Sequence, residues 1–233
     1  TYSAANGLNL TTVAPGSGTS NITLGSVTTS NGGAVNIQNY DGLKLQGTLA
    51  LDGAFTQTNN DLLSTNEDVE FGAVGGISFS LTTTGDNISF EAPITMNQNS
   101  LLSTGVTGLG TVTISSSVDS LSNAVKNLTV TNANGIANIG GSIGTATNGE
   151  LGFLSVTSNA INFINNLATT TVKTKGSSGQ SYIGSVSLNG DVVMNAGTTG
   201  PVSFSSTIDS AKASVKMIGP DQSACASIRS RTD

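Results

Sequence analysis

Two stretches of this chain, 90 positions apart, carry nearly the same wording: VTISSSVDSLSNAVKNL at 112–128 and VSFSSTIDSAKASVKMI at 202–218. Seven of the 17 positions are identical: Val112, Ser115, Ser116, Asp119, Ser120, Val125 and Lys126 match Val202, Ser205, Ser206, Asp209, Ser210, Val215 and Lys216. Both follow one frame: apolar, any residue, apolar, three residues, apolar. The frame recurs at Leu43-Leu45-Leu49, Ile88-Phe90-Ile94, Ala137-Ile139-Ile143, Ile161-Phe163-Leu167 and Val186-Leu188-Val192, with a shorter version at Val69-Phe71-Val74. From Ile88 onward the frame starts at Ile88, Val112, Ala137, Ile161, Val186 and Val202, four nearly equal intervals and then a shorter one. A unit of about 24 residues cannot bury its apolar face alone, but it can when stacked on copies of itself. The twin phrases are read as two coils in equivalent places of such a stack.

Within each unit the apolar period is two, as in Val112-Thr113-Ile114 and Val202-Ser203-Phe204, which is the signature of a strand with one buried face. Leu128-Thr129-Val130 and Leu154-Ser155-Val156 read as further strands. Turn formers gather between the pieces, as in TNANG (131–135) and TNGE (147–150). No segment holds a 3.6-residue apolar period; LSNAVKNL (121–128) comes nearest and is too short for an independent helix. The expected fold is all-β: a single-stranded parallel β-helix of roughly eight coils, about 24 residues per coil. At the interstrand spacing of about 4.8 Å the stack would be about 40 Å long. Charged residues are only 9% of the chain, against roughly 25% in ordinary globular proteins. A stack explains this, because like charges in one column repel whereas Thr, Ser and Asn bond their neighbours. A sandwich of immunoglobulin-like repeats would need a unit of roughly 100 residues and fits the spacing badly. Expected boundaries are an irregular N-terminal segment or cap at 1–20, the repeat domain at 21–218, and a C-terminal tail or cap at 219–233.

The residues restrict chemistry strongly. Histidine is absent, which removes the commonest general base and metal ligand. With a net charge of −6 and only 8 scattered basic residues, no nucleic-acid footprint is expected. No apolar run reaches the roughly 18 residues of a membrane helix. The opening TYSAANG has no signal-peptide character, so a processed chain or a fragment is expected. Cys225 is the only cysteine and excludes an internal disulfide framework. Asp119 and Asp209, matched in the twin phrases, are weighed as a carboxylate pair and read instead as turn-shaping residues several coils apart. Glu67, Asp68 and Glu70 are the densest acidic cluster; calcium could use their oxygens, but a solvated loop is the favoured reading. Thr82-Thr84, Thr111-Thr113 and Thr129-Thr131 are weighed as an ice-binding face and set aside for want of a common repeat phase. No catalytic residue and no cofactor is expected.

The phrases FTQTNND (55–61), DNISFEAPIT (86–95), VTISSSVDS (112–120), KNLTVTNANG (126–135) and LSVTSNAINF (154–163) resemble repeats of very large secreted bacterial surface proteins, of the filamentous haemagglutinin and autotransporter adhesin type. The resemblance covers about positions 43–218. It implies a right-handed parallel β-helix exported to the cell surface as a stalk, adhesin or matrix element. It carries no catalytic residues, and those proteins run far longer than this chain. The expected function is a non-enzymatic structural or adhesive module of a secreted cell-surface protein. Its partners would be host or neighbouring cell-surface molecules, or copies of itself. The alternative is a self-assembling fibre, sheath or surface-layer subunit joined by inter-chain β-pairing. A polysaccharide-active β-helix enzyme is the reading the residues favour least.

Overall fold

The computed structural model describes the whole chain except residues 1, 5, 13–20, 40, 60–67, 106–108, 166–167, 211–213, 221–227 and 231–233. The described residues form 23 strands and no helix. In chain order these are β1 (Tyr2–Ala4), β2 (Leu8–Thr11), β3 (Ile22–Leu24), β4 (Val27–Thr29), β5 (Val35–Asn39), β6 (Leu43–Leu45), β7 (Thr48–Leu51), β8 (Phe55–Asn59), β9 (Val69–Phe71), β10 (Phe79–Thr83), β11 (Ile88–Phe90) and β12 (Ile94–Met96). They continue as β13 (Ser100–Ser103), β14 (Thr111–Ile114), β15 (Val118–Ser120), β16 (Asn127–Ile139), β17 (Leu151–Phe163), β18 (Thr170–Leu188), β19 (Val192–Asn195), β20 (Val202–Phe204), β21 (Ile208–Ser210), β22 (Val215–Ile218) and β23 (Ile228–Ser230).

Every pairing among them is parallel, and the pairings sort into three faces. The first face stacks β1, β4, β7, β10, β13, β16, β17, β18 and β20, nine strands deep, so eight turns of the chain separate its ends. The second stacks β2, β5, β8, β11, β14, later stretches of β16, β17 and β18, then β21 and β23. The third runs β3, β6, β9, β12, β15, passes through an isolated bridge at Ile143, and continues with the start of β18, β19 and β22. The chain visits the three faces in turn, which is a parallel β-solenoid. Its stack takes in β1 and β2, inside the segment 1–20, and β23, inside the segment 219–233.

The expected aliphatic column is present. Ile88 pairs with Val112, Val112 with Ala137, Ala137 with Ile161 and Ile161 with Val186, all on the second face. These residues are 0–2% exposed. The twin phrases, however, are not in equivalent places. Val112 and Ile114 lie on the second face and Val118 on the third, whereas Val202 and Phe204 lie on the first and Ile208 on the second. Each face is written with the same apolar-any-apolar triplet, so the frame marks a corner between any two faces rather than one place per coil. That slip of phase is the short interval between Val186 and Val202. The short frame at Val69 also fails as a core marker, because Val74 is 73% exposed. Leu167, which closes another frame, lies outside the described residues. Before Ile88 the coil length swings widely. The coil from Val35 to Phe55 is short and the next, from Phe55 to Ile88, is much longer, yet the ladder stays in register.

The corners are built from polar residues turned inward. At the end of first-face strands, Thr29 donates to Gly33 O (2.5 Å), Thr83 to Asp86 O (2.6 Å), Asn132 to Ile136 O (2.6 Å) and Ser158 to Ala160 O (2.8 Å). All four residues are buried, so these bonds satisfy donors that burial would otherwise leave costly, while Asn132 Oδ1 stays buried without a partner. Gln57 closes another corner: Nε2 donates to Asn39 Oδ1 (2.8 Å) and Asn59 Oδ1 (2.9 Å), and Oε1 accepts from Glu91 N and Ala92 N (both 2.9 Å). Gln180 does the same beside the third face, donating to Val172 O and Asn195 O (both 3.1 Å) and accepting from the Tyr182 hydroxyl (3.0 Å). Full burial pushes that phenol's pKa up. The core is not purely aliphatic. Phe55, Phe71, Phe79 and Phe90 form one ring cluster with centroids 4.5–5.1 Å apart, and Phe163, Tyr182 and Phe204 form a second at 5.0–6.0 Å.

Candidate functional site

The outward columns are the surface that the stacked strands present to solvent. On the second face the register sets Asn9, Asn36, Thr56, Ser89, Thr113, Asn138, Asn162, Ser187 and Asp209 one above another. Eight of these nine are uncharged amides or hydroxyls, and some bond along the column: Asn36 Nδ2 donates to Asn9 Oδ1 (2.8 Å) and Asn162 Nδ2 to Asn138 Oδ1 (3.0 Å). Where charges do stack in register they alternate in sign, as in the Lys44–Glu70 pair at 2.9 Å on the third face.

The acidic residues singled out from the sequence do not converge. Asp119 is on the third face in β15, and Asp209 on the second in β21. Asp119 Oδ1 accepts from Ala146 N of the next coil (2.8 Å), so it ties adjacent layers rather than shaping its own turn. Asn87, Asn99 and Asp191 make the same tie, accepting from Thr111 N, Asn127 N and Ser214 N at 2.8–2.9 Å. In the acidic cluster, Glu67 lies outside the described residues. Glu70 is committed to Lys44 and to Asn97 Nδ2 (3.0 Å). Asp68 reaches solvent, and partial desolvation, with Glu70 second, raises its carboxyl pKa. Among the described residues no three metal-ligating side chains converge. Cys225 also lies outside the described residues.

The threonine pairs are in better phase than their sequence spacing shows. Thr82, Ser103, Thr131 and Thr157 form one column of the first face, and Ser80, Leu101, Thr129 and Ser155 the column beside it. Thr111 and Thr113 lie on the second face instead. Thr84 sits beyond the end of β10, at a corner.

That corner borders a groove of about 420 Å³ on the first face, lined by residues 28–31, 50–52 and 82–84. Three successive coils make it. The second and fourth cross from the first face to the second through residues 30–34 and 84–87, while the third crosses through residues 52–54 alone. The short crossing is drawn in tightly: a Cβ on Gly53 would meet Gly32 O and Ala34 N, and Gly53 N donates to Gly33 O (3.1 Å). Ala50 and Asp52 therefore form a floor between two raised walls. Asp52 Oδ2 accepts from Gly32 N (2.7 Å) on one wall, and Oδ1 from the Thr84 hydroxyl (3.0 Å) on the other. The Gly32 bond, followed by the Thr84 bond, lowers the Asp52 pKa below the ordinary carboxylate value. Neither the groove nor the corner residues beneath it carried a sequence signal, because crossing length shows only once register is known. Comparisons with protein-family models, curated proteins and solved structures found no match, so geometry and residue chemistry carry the functional reading.

Proposed function

We propose that this chain is a non-enzymatic structural or adhesive module of a secreted cell-surface protein, binding host or neighbouring cell-surface molecules through its outer faces. The observation that supports this reading most is the outward columns. They repeat one chemistry, uncharged amide and hydroxyl, over the length of a stack held in register by its own core. Such a rod presents many equivalent weak contacts along one line. Multivalent display gives it avidity without a deep site. The resemblance to haemagglutinin-type repeats points the same way, and the family assignment is part of this proposal. The test is surface display of the chain on a non-adherent cell, scored for attachment to epithelial or bacterial monolayers. Attachment above that of the undecorated cell supports the reading; attachment equal to it refutes the adhesive part.

A second reading, the self-assembling subunit, has one observation in its favour. β3 is an edge of the third face among the described residues, and its inward Ile22 and Leu24 are only partly buried. An open parallel edge over uncovered apolar side chains is a template for another strand. Electron microscopy of the purified chain distinguishes the readings: regular polymers without added ligand favour assembly, and single rods favour the module.

A further inference from the structure

The groove over Ala50 has properties that a plain structural rod does not need. It is a shallow, open depression in the sheet, where Ala50 stands in register between Thr28 and Thr82. The walls are two layers apart, about 9.6 Å. The methyl group of Ala50 forms an apolar, exposed floor between the hydroxyls of Thr28 and Thr82. Ser30 and Asn31 line the groove beside Thr28. Asn31 has φ 54°, the left-handed conformation that lets the wall turn sharply beside the groove. The carboxylate at the end of the floor accepts one backbone N–H and one hydroxyl. A carboxylate has about four acceptor sites, so these two bonds leave half of its capacity for a ligand.

This combination selects among ligands. One carboxylate among hydroxyls is too few ligands for a metal ion, and the groove has no basic group for an anion. The width suits a ring rather than a protein segment with side chains on both edges. The groove beside it on the second face, lined by Asn9, Asn36, Gln38 and Thr56, is a poorer candidate, because Asn36 already spends an amide donor on Asn9. We propose that the Asp52 groove binds a single neutral pyranose unit of a saccharide. Its ring lies on the Ala50 methyl between the two hydroxyl walls, and a vicinal pair of its hydroxyls donates to the Asp52 carboxylate. Asp52, like any carboxylate whose pKa is at or below the ordinary value, is a charged acceptor at neutral pH. This site goes beyond the structural reading, since a rod without it would still be a rod.

A shallow, wet site without an aromatic platform supports millimolar affinity. The test is amide chemical-shift mapping of the full chain with methyl β-D-glucopyranoside and methyl α-D-mannopyranoside as probes. Saturable shifts confined to the amides of residues 28–32, 50–53 and 82–84 are expected for at least one of them. Ala50→Trp fills the groove from an outward position, so it should lose at least tenfold in affinity with an unchanged melting temperature. Asp52→Asn should weaken binding several-fold. Absence of saturable shifts at those amides with both probes overturns the proposal. So do shifts that survive Ala50→Trp undiminished. Neither negative bears on the rod itself or on attachment, which the distance series and the attachment assay test separately.

Discussion

Placing like charges at neighbouring rungs of one outward column should cost stability in proportion to layer distance, not sequence distance. Thr113 and Asn138 are a whole coil apart in the chain and adjacent in the second-face column. Both are half-buried. Thr113→Asp with Asn138→Asp would set two carboxylates about 5 Å apart. Coulomb's law gives roughly 0.8 kcal/mol for that separation in water and roughly 3 kcal/mol at an effective dielectric of 20. For a partly exposed pair, a coupling of about 1 kcal/mol is expected. The single substitutions add small terms from the 3.4 Å Asn138–Thr113 hydrogen bond, and a double-mutant cycle removes them. Urea denaturation of the four proteins at low salt reads the coupling. Raising the salt to about 1 M shortens the screening length to ~3 Å and should reduce it sharply. The control is Thr113→Asp with Ser187→Asp, three layers and about 14 Å apart, which should be additive within ~0.5 kcal/mol. Equal coupling in both pairs, or none in the adjacent pair at low salt, would refute the stacking argument.

Three further outcomes follow from the interior and its ties. Phe90 is 0% exposed and packs against Phe55 and Phe71 at 5.0 and 5.1 Å, so Phe90→Ala should cost about 3–5 kcal/mol by chemical denaturation. Gln57→Leu keeps the volume but strands the side-chain carbonyls of Asn39 and Asn59 and the N–H groups of Glu91 and Ala92; a loss of at least about 2 kcal/mol is expected, and a neutral result would mean water enters that corner. Asp191 is held below its ordinary pKa of 3.8 by the Ser214 backbone and then its hydroxyl, so its tie between coils is intact above that value and is lost as pH falls through the lower folded-state pKa. Asp191→Ala should therefore be less stable than the parent at neutral pH, with the gap closing in thermal melts as pH is lowered past 3.8.

How much of this was legible in the sequence depends on what each residue type advertises. Aliphatic residues at period two have one explanation in a Thr-rich chain, and Ile88, Val112, Ala137 and Ile161 were placed correctly from spacing alone. The twin phrases misled for a physical reason. All three faces need the same inward triplet, so identity of wording reports the need for a strand, not the face it joins. Gln57, Gln180 and Asn132 were invisible because a chain full of Asn, Ser and Thr gives its buried corner residues no distinguishing composition. Only register reveals that their side chains turn inward. The layer ties of Asn87, Asn99, Asp119 and Asp191 were hidden similarly, since their partners stand a full coil away in the chain. The Asp52 groove depends on the relative length of three crossings, which no single segment encodes.

Distances along one column test the stacking itself. With Cys225→Ser in the background, spin labels would be placed in pairs at Ser89 and Asn162, Ser89 and Asp209, and Asn36 and Asp209, which lie three, five and seven layers apart. Pulsed electron paramagnetic resonance should return separations rising by ~4.8 Å per layer, about 14, 24 and 34 Å beyond a common label offset. A series that fails to rise linearly, or that folds back as facing antiparallel sheets would require, contradicts a parallel in-register solenoid.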